Sequence, residues 1–251
     1  MWLMRLTALA VGLIALGGTS LAQHFYGEIL LKPLDGVLME VQQPFGFIDA
    51  RNRKWEVPAK YQTDGASIPR PLWSIIGSPF TGNYLAAAII HDFYCDLKSR
   101  DWRDVHSVFF DAMLANKVDS MQAKIMYYAV YRFGPRWVVD KHFNCPPGIA
   151  CSLTGANPTH VQEISVSPMF DEAEFRREMR EIEANKLSLS KIRAAADASF
   201  YKDDQLFKVK GKVTASGKEI HIDQDARLKD VPALRGSLEH FLRSLPDASA
   251  N

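Results

Sequence analysis

The sequence predicts an α+β fold, in which a small antiparallel β-sheet is followed by a three-helix core and an appended C-terminal helix and β-hairpin. Two patterns indicate this fold. Short stretches punctuated by Gly, Pro, Asp and Asn fill residues 23–62, as is typical of antiparallel strands. Residues 83–137 instead carry apolar side chains at i, i+3, i+4 and i+7, as is typical of helices that bury one face.

The composition excludes few classes of protein but gives no reason to expect a nucleic-acid partner. The chain has 251 residues, with 30 Lys and Arg against 29 Asp and Glu, and a formal net charge of +1. A protein that neutralises phosphates usually carries a clear excess of basic residues. The length allows one good-sized domain with an appendage.

Residues 1–22 have the pattern of a secretory signal peptide. Arg5 precedes an apolar run over Thr7–Leu16, and Ser20-Leu21-Ala22 offers a small-x-small cleavage site. A membrane anchor is the alternative, but the apolar run is short for a membrane span. We therefore expect cleavage after Ala22 and a periplasmic or secreted protein.

The β-strands are expected in the first part of a core domain over 23–142. Four stretches alternate or cluster apolar residues between turn signals: Phe25–Leu31, Leu38–Val41, Phe45–Ile48 and Lys54–Val57. Turn-forming residues such as Asp35-Gly36 separate them. A small antiparallel sheet follows from this pattern.

Three helices are expected next, over Asn83–Leu97, Trp102–Asn116 and Ser120–Phe133. Ser120 is expected to cap the third helix, and Gly134-Pro135 to end it. The short connections favour antiparallel packing of neighbouring helices.

The C-terminal third is expected to be a separate region without a catalytic signature. Residues 143–167 are rich in Pro, Gly, Cys and Thr and are predicted to be a linker. The appendage over 168–251 is predicted to contain a charged helix over Asp171–Phe200, a hairpin over Leu206–Ile222 and a short helix over Leu234–Leu245. Such a region is typical of a surface that binds a protein partner, or of a lid.

Three cysteines are present, and in an exported protein cysteines can be oxidised to disulfides. Cys145 and Cys151 bracket a compact loop that a disulfide would close. Cys95 is then the odd residue, either a buried thiol or a functional one, although a bridge from Cys95 to either of the others stays open.

Polar residues at two places predict a functional site. Thr63–Arg70 is a turn with an Asp, a Gly and a Pro, and His91-Asp92 comes late in an apolar helical run. Cys95 is one helical turn after His91 and therefore shares its face. His106 lies on the apolar face of the next helix and is expected to point towards His91. The purely structural alternative is that His106 is a core histidine and that His91-Asp92 form a hydrogen-bond network at the helix end.

The motifs in this region resemble those of the bacterial and phage "domain of unknown function 1353" family over roughly residues 23–137. The residues that carry the resemblance are, in order, Thr63–Pro69, Ala87-Ala88, His91-Asp92, Ser99-Arg100, Phe109, Ala112-Met113, Tyr128–Val130 and Phe133-Gly134. The family name implies no activity.

The same segment is more distantly similar to the core of secreted phospholipases A₂. That resemblance implies that His91 is a general base and that Asp92 binds Ca²⁺ together with the turn at Asp64 and Gly65. Two positions depart from the pattern: Cys95 stands where an aromatic residue is usual, and His106 replaces the Asp that orients the catalytic His.

Three hypotheses follow, and atomic coordinates distinguish them. A hydrolase acting on lipid or envelope esters, with His91, Asp92 and His106 as its catalytic group, requires His91 to line an open cleft. A non-catalytic envelope binding or scaffold module requires His91 to be covered and hydrogen-bonded. A site for Zn²⁺ or another borderline metal, with Asp92 or Asp64 as a fourth ligand, requires the sulfur of Cys95 to converge with the imidazoles of His91 and His106.

Overall fold

The structure, a computed structural model, describes residues 23–36, 38–64, 82–139, 159–200, 205–215 and 218–227. It confirms the α+β class. The N-terminal strands are β1 (His24–Tyr26), β2 (Leu31–Pro33), β3 (Met39–Val41), β4 (Phe45–Ile48), β5 (Lys54–Val57) and β6 (Gln62–Thr63). The helices are α1 (Leu85–Leu97), α2 (Trp102–Ala115), α3 (Ser120–Phe133), α4 (Glu172–Asn185) and α5 (Leu189–Phe200). The C-terminal strands are β7 (Arg136–Val139), β8 (Thr159–Pro168), β9 (Leu206–Ala215) and β10 (Lys218–Arg227). Among the helices of these residues, none combines the length and the apolar character that crossing a bilayer needs.

The N-terminal strands form two small antiparallel sheets, where one was expected. Their strand orders are β1-β4-β5 and β2-β3-β6. The stretch predicted as one strand, Phe25–Leu31, is divided because Gly27 has a φ of 75° and ends β1. A Cβ at Gly27 would lie 2.7 Å from the Pro44 carbonyl oxygen, so the turn needs glycine for its backbone angle and for space.

The three core helices follow the predicted pattern within two residues at each end. α2 begins where Asp101 accepts a hydrogen bond from the Arg103 amide. For α3 the capping residue is Asp119 and not the predicted Ser120, because the Asp119 carboxylate accepts from the amides of Met121 and Gln122. Gly134 ends α3, as expected.

A buried aromatic residue connects the strands to the helices. Trp55 on β5 is fully buried, and its indole N–H donates to Asp49 at 3.0 Å. The Arg100 guanidinium lies 4.0 Å above the Trp55 ring and donates to the Lys54 carbonyl at 2.6 Å. These contacts fix the loop between α1 and α2 against the β1-β4-β5 sheet.

The C-terminal region differs from the prediction in two places. The part of the predicted linker from Thr159 onward is strand β8, which pairs with β7 and β9. The single charged helix is two helices, since Lys186 takes a left-handed conformation with a φ of 46° and ends α4. The predicted hairpin is confirmed as β9 and β10 and extends to Arg227.

Several predictions lie outside the described residues. They are the signal peptide over 1–22, the role of Gly65, the Cys145–Cys151 loop and the helix over Leu234–Leu245. Cys95 is a buried thiol.

The C-terminal elements are joined to the helical core through the end of α3. Arg136 on β7 is buried and donates to Asp197 on α5 at 2.9 Å. Its guanidinium stacks 3.8 Å from the Phe200 ring and 4.5 Å from the Trp102 ring. Because β7 also belongs to the four-stranded sheet β10-β9-β8-β7, the core and the C-terminal region share one packed interface.

Phe200→Ala tests this shared interface. Phe200 is fully buried and its ring centroid lies 4.8 Å from that of Phe207. We expect the variant to lose about 3–5 kcal/mol of unfolding free energy, because a large core cavity is left. Urea denaturation followed by circular dichroism should show one cooperative transition at lower urea. Lys191→Ala, an exposed change on the same helix, should stay within about 0.5 kcal/mol of the parent. A separate early transition would show that the C-terminal region unfolds alone.

Candidate metal centre

Helix α1 places His91 and Cys95 one turn apart on its buried face. His91 is 1% exposed and Cys95 is 6% exposed. Apolar helix formers such as Ala87, Ala88 and Ile90 surround them and drive that face into the core. Two polar side chains are therefore held in a dry environment, where each must find a partner.

His106 on α2 supplies that partner, as the sequence predicted. Nε2 of His91 lies 2.8 Å from Nδ1 of His106, and both side chains are buried. Of the two facing nitrogens, one donates its proton and the other accepts it through a lone pair. At least one nitrogen of the pair is therefore unprotonated. The two helices are thus joined by a hydrogen bond between neutral histidines.

Cys95 completes a cluster of three metal-ligating side chains. The sulfur lies 3.6 Å from Nε2 and 3.8 Å from Nδ1 of His91. One ligand atom from each of His91, Cys95 and His106 lies within 4.8 Å of the others. Around a tetrahedral Zn²⁺, thiolate and imidazole donors stand about 3.6 Å apart and two imidazole nitrogens about 3.3 Å apart. The sulfur–nitrogen distance already fits. The histidine pair must open slightly, and the His91 ring must turn, to aim Nε2 at a shared ion.

Gly134, at the end of α3, lets the imidazole of His106 approach. A Cβ at this position would lie 3.1 Å from Cε1 of His106 and would overlap the carbonyl oxygen of Val130. The Val130 oxygen excludes a Cβ here, and a Cβ would also press on the His106 ring. Gly134 was among the residues that carry the family resemblance, but its contact with His106 is visible only in the three-dimensional structure.

Burial keeps both histidines uncharged. Removal from water lowers the pKa of His91 to about 3. Burial also lowers the pKa of His106 well below its usual range, and the neighbouring His91, Arg136 and Arg103 act in the same direction. Aromatic rings enclose the pair, with Phe109 beside His91 at a centroid distance of 5.0 Å and Trp102 beside His106 at 5.6 Å. Neutral imidazoles are the form that binds metals.

Asp92 lies on the Nδ1 side of His91, opposite the nitrogen that contacts His106. Its Oδ2 accepts a hydrogen bond from the Thr63 hydroxyl at 2.6 Å, and its Oδ1 lies 4.0 Å from Nδ1 of His91. Asp64 follows strand β6 at the rim of the adjacent cavity. The structure therefore brings His91, Cys95 and His106 together, with Asp92 behind His91 and Asp64 beside them.

The cavity beside the cluster was not predicted from the sequence. It has a volume of about 610 Å³, and its walls include Asp92, Cys95 and Gly134. The facing wall carries Lys208 and Lys210 of β9. Alternation of lysine with buried Phe207 and Val209 marks a two-faced strand, but nothing in the sequence shows which element it faces.

Comparison with known proteins identifies the family. The family model described as "Protein of unknown function (DUF1353)" matches residues 39–130, which contain the whole cluster. A relative from Sinorhizobium fredii, "Uncharacterized protein y4iH", is 37% identical over 161 residues, covering 61% of this chain and 67% of the relative. The chain belongs to the DUF1353 family.

A second relative from Sinorhizobium fredii, "Uncharacterized protein y4jT", is 44% identical over 123 residues. That match covers 46% of this chain and 37% of the relative. No solved structure matches the chain. The DUF1353 resemblance found in the sequence is thus confirmed, whereas none of these comparisons supports the resemblance to phospholipase A₂.

The buried histidine pair predicts acid sensitivity. In the unfolded chain a histidine has a pKa of about 6.5, so it binds a proton below that pH. In the folded chain the pKa values of His91 and His106 are much lower, so both rings stay neutral until the pH is far lower. Folding stability is therefore complete above about pH 6.5 and falls as the pH drops towards 3, by about 1.4 kcal/mol per pH unit for each histidine. Urea denaturation at successive pH values measures this slope.

The matched variants are His106→Gln and His24→Gln. Replacing buried His106 should reduce the slope by one proton, while replacing exposed His24 should leave the part of the slope due to His91 and His106 unchanged. A slope between pH 6.5 and 4 that does not respond to His106→Gln would show that His106 is not held neutral in the fold.

Proposed function

We propose that this DUF1353 protein binds Zn²⁺ or another borderline transition metal through Nε2 of His91, Nδ1 of His106 and Sγ of Cys95. The observation that carries this proposal is the convergence of these three donor atoms within 4.8 Å in a buried site. One thiolate with two imidazoles suits Zn²⁺ better than a hard cation, which prefers oxygen.

The surroundings of the two histidines support this choice of donors. A histidine that binds a metal usually gives its other ring N–H to a carboxylate or a backbone carbonyl. Behind His91, the second nitrogen faces Asp92 Oδ1 at 4.0 Å. Behind His106, the Pro135 backbone acts to raise the pKa of the ring, as a nearby carbonyl does, but Nε2 makes no hydrogen bond to any described group, so His91 alone has a carboxylate on its outer side. Asp92 is then an orienting residue, in place of the metal ligand that the sequence suggested.

The geometry argues against the phospholipase-like arrangement. A general base must reach water, yet His91 is 1% exposed and its Nε2 is taken by His106. A pKa of about 3 also makes His91 a weak base near neutral pH. Calcium would need several oxygen ligands from around Asp64 and Asp92, and Asp92 is engaged with Thr63.

The scaffold hypothesis is the second candidate, because His91 is covered and hydrogen-bonded to His106. On that hypothesis the His91–His106 pair only joins α1 to α2. The two candidates differ in whether the protein binds a metal, so metal titration separates them.

Titration calorimetry of Zn²⁺ and Ca²⁺ into metal-free protein tests the proposal. We expect Zn²⁺ to bind at a single site, and Cys95→Ser to weaken it by more than about 100-fold, since losing even an outer hydrogen bond costs about 10- to 100-fold. Ca²⁺ should not compete. Circular dichroism should confirm that Cys95→Ser is folded.

The chain offers a matched control in its other cysteines. Cys145→Ser/Cys151→Ser removes the other two cysteines and should leave the Zn²⁺ affinity unchanged. Zn²⁺ binding that survives Cys95→Ser but is lost in the control would assign the metal to the other cysteines and overturn the proposed site.

We also propose that the protein is exported, on the strength of the charged, apolar and small-residue segments over 1–22. Expression of the full chain in a bacterial host, followed by N-terminal sequencing of the periplasmic fraction, should give a chain that begins at Gln23. Recovery of an uncleaved chain in the cytosol would contradict export.

A further inference from the structure

The cavity beside the metal centre lies between the helical core and the C-terminal sheet. One wall comes from β6, α1 and the end of α3, and includes Thr63, Asp92 and Cys95. The other comes from β8 and β9 and includes Ser165 and Lys210. Its volume of about 610 Å³ is in the range that holds a small organic molecule.

The cavity reaches the proposed metal site at two points. Cys95, a proposed ligand, is part of the cavity wall. Gly134 is also part of the wall, and the space of its missing Cβ is next to the His106 ring. A metal held by the three side chains would therefore lie just under the cavity floor.

Among the described residues, the protein supplies three ligands. Asp92 accepts a hydrogen bond from Thr63, and its Oδ1 lies 4.0 Å from the outer nitrogen of His91, so this carboxylate lies behind a proposed ligand. Structural zinc sites are closed by four protein ligands, whereas sites that act on other molecules hold three and leave the fourth position to water or substrate. The fourth position here would be on the cavity side, next to Cys95.

The facing wall is basic and rich in hydroxyls. Lys208 pairs across the sheet with Ser167, and Lys210 pairs with Ser165, so all four side chains project from one face of β8 and β9. All four line the cavity. Asp223 and Asp225 of β10 lie 4.0 Å from the Lys208 ammonium, at the outer edge of this patch. Exposed ion pairs at this distance are weak. The opposite side of the cavity carries the carboxylates of Asp64, Asp92 and Asp96, so an anion would have to bind on the lysine side.

We propose that the metal centre keeps its fourth coordination position open to the cavity, and that an oxyanion group of a small molecule, a carboxylate or a phosphate, binds there with Lys208 and Lys210. This inference rests on the proposed metal site. The metal would bind one oxygen of the anion, and the lysines and the serines would bind the others. The substrate class is thus a small molecule with a carboxylate or phosphate group. Because α1 and β9 are far apart in the sequence, neither segment shows the site by itself.

Cobalt(II) substitution with optical spectroscopy tests the proposal, because the visible spectrum of cobalt responds to a change in its ligands. The protein is the full mature chain carrying Cys145→Ser/Cys151→Ser, loaded with cobalt and titrated with acetate or inorganic phosphate. We expect a saturable spectral change with the metal retained after gel filtration. Lys208→Met/Lys210→Met should lower the affinity for the anion by about tenfold, the size expected from the loss of two partly screened charges. It should leave the affinity for cobalt unchanged.

Lys124→Met/Lys191→Met is the matched control, since it removes the same charge from helices α3 and α5, away from the cavity lining. It should bind the anion as the parent does. Cobalt that binds but shows no spectral response to either anion would mean a closed metal site and overturn this inference alone. An anion affinity equal to the parent's in the Lys208/Lys210 variant would show that the lysines do not bind the anion.

Failure of cobalt to bind at all would overturn both this inference and the metal site. Comparison of acetate with phosphate distinguishes the two oxyanions.

Discussion

The hydrogen bond between His91 and His106 is the interaction on which the site depends. It lies inside an apolar and aromatic core, where neither imidazole can hold a charge without a large desolvation cost. The bond therefore forms between neutral rings, and each ring has one donor and one acceptor nitrogen. It fixes the distance between α1 and α2 and requires the missing side chain at Gly134. A buried polar pair of this kind is costly for stability alone, since apolar side chains of similar size would pack without the desolvation.

The proposed metal ion would give this costly pair a purpose. The Cys95 sulfur lies 3.6–3.8 Å from the ring nitrogens of His91, a distance at which a thiol makes only a weak hydrogen bond. With Zn²⁺, the sulfur and the two nitrogens would all bind the same cation, and burial would favour the neutral imidazoles that coordination needs. The same burial that makes His91 a weak base makes it a ready ligand.

The C-terminal region forms a wall of the site and is not a detached appendage. Buried Arg136 joins β7 to α5 by its bond to Asp197 and its stacking on Phe200. Arg132, fully buried at the end of α3, reaches Glu174 on α4 at 3.3 Å and Gln205 at 2.9 Å. These contacts bring the β8–β9 face across from α1, and the cavity forms between them.

The sequence by itself determined the α+β class, the three core helices, the C-terminal hairpin and the inward placement of His91, Cys95 and His106. Periodicity of 3.6 residues places Cys95 on the face of His91, and the inward face of α2 contains His106, so the sequence predicts a cluster as one of three hypotheses. Only the tertiary structure decided that Nε2 of His91 is bonded to His106, that Asp92 lies behind the cluster, and that Lys208 and Lys210 face it. Those facts depend on contacts between residues far apart in the chain, such as Thr63 with Asp92 and Arg136 with Asp197. Local periodicity contains no record of which faces meet, because that is settled by how whole elements pack together.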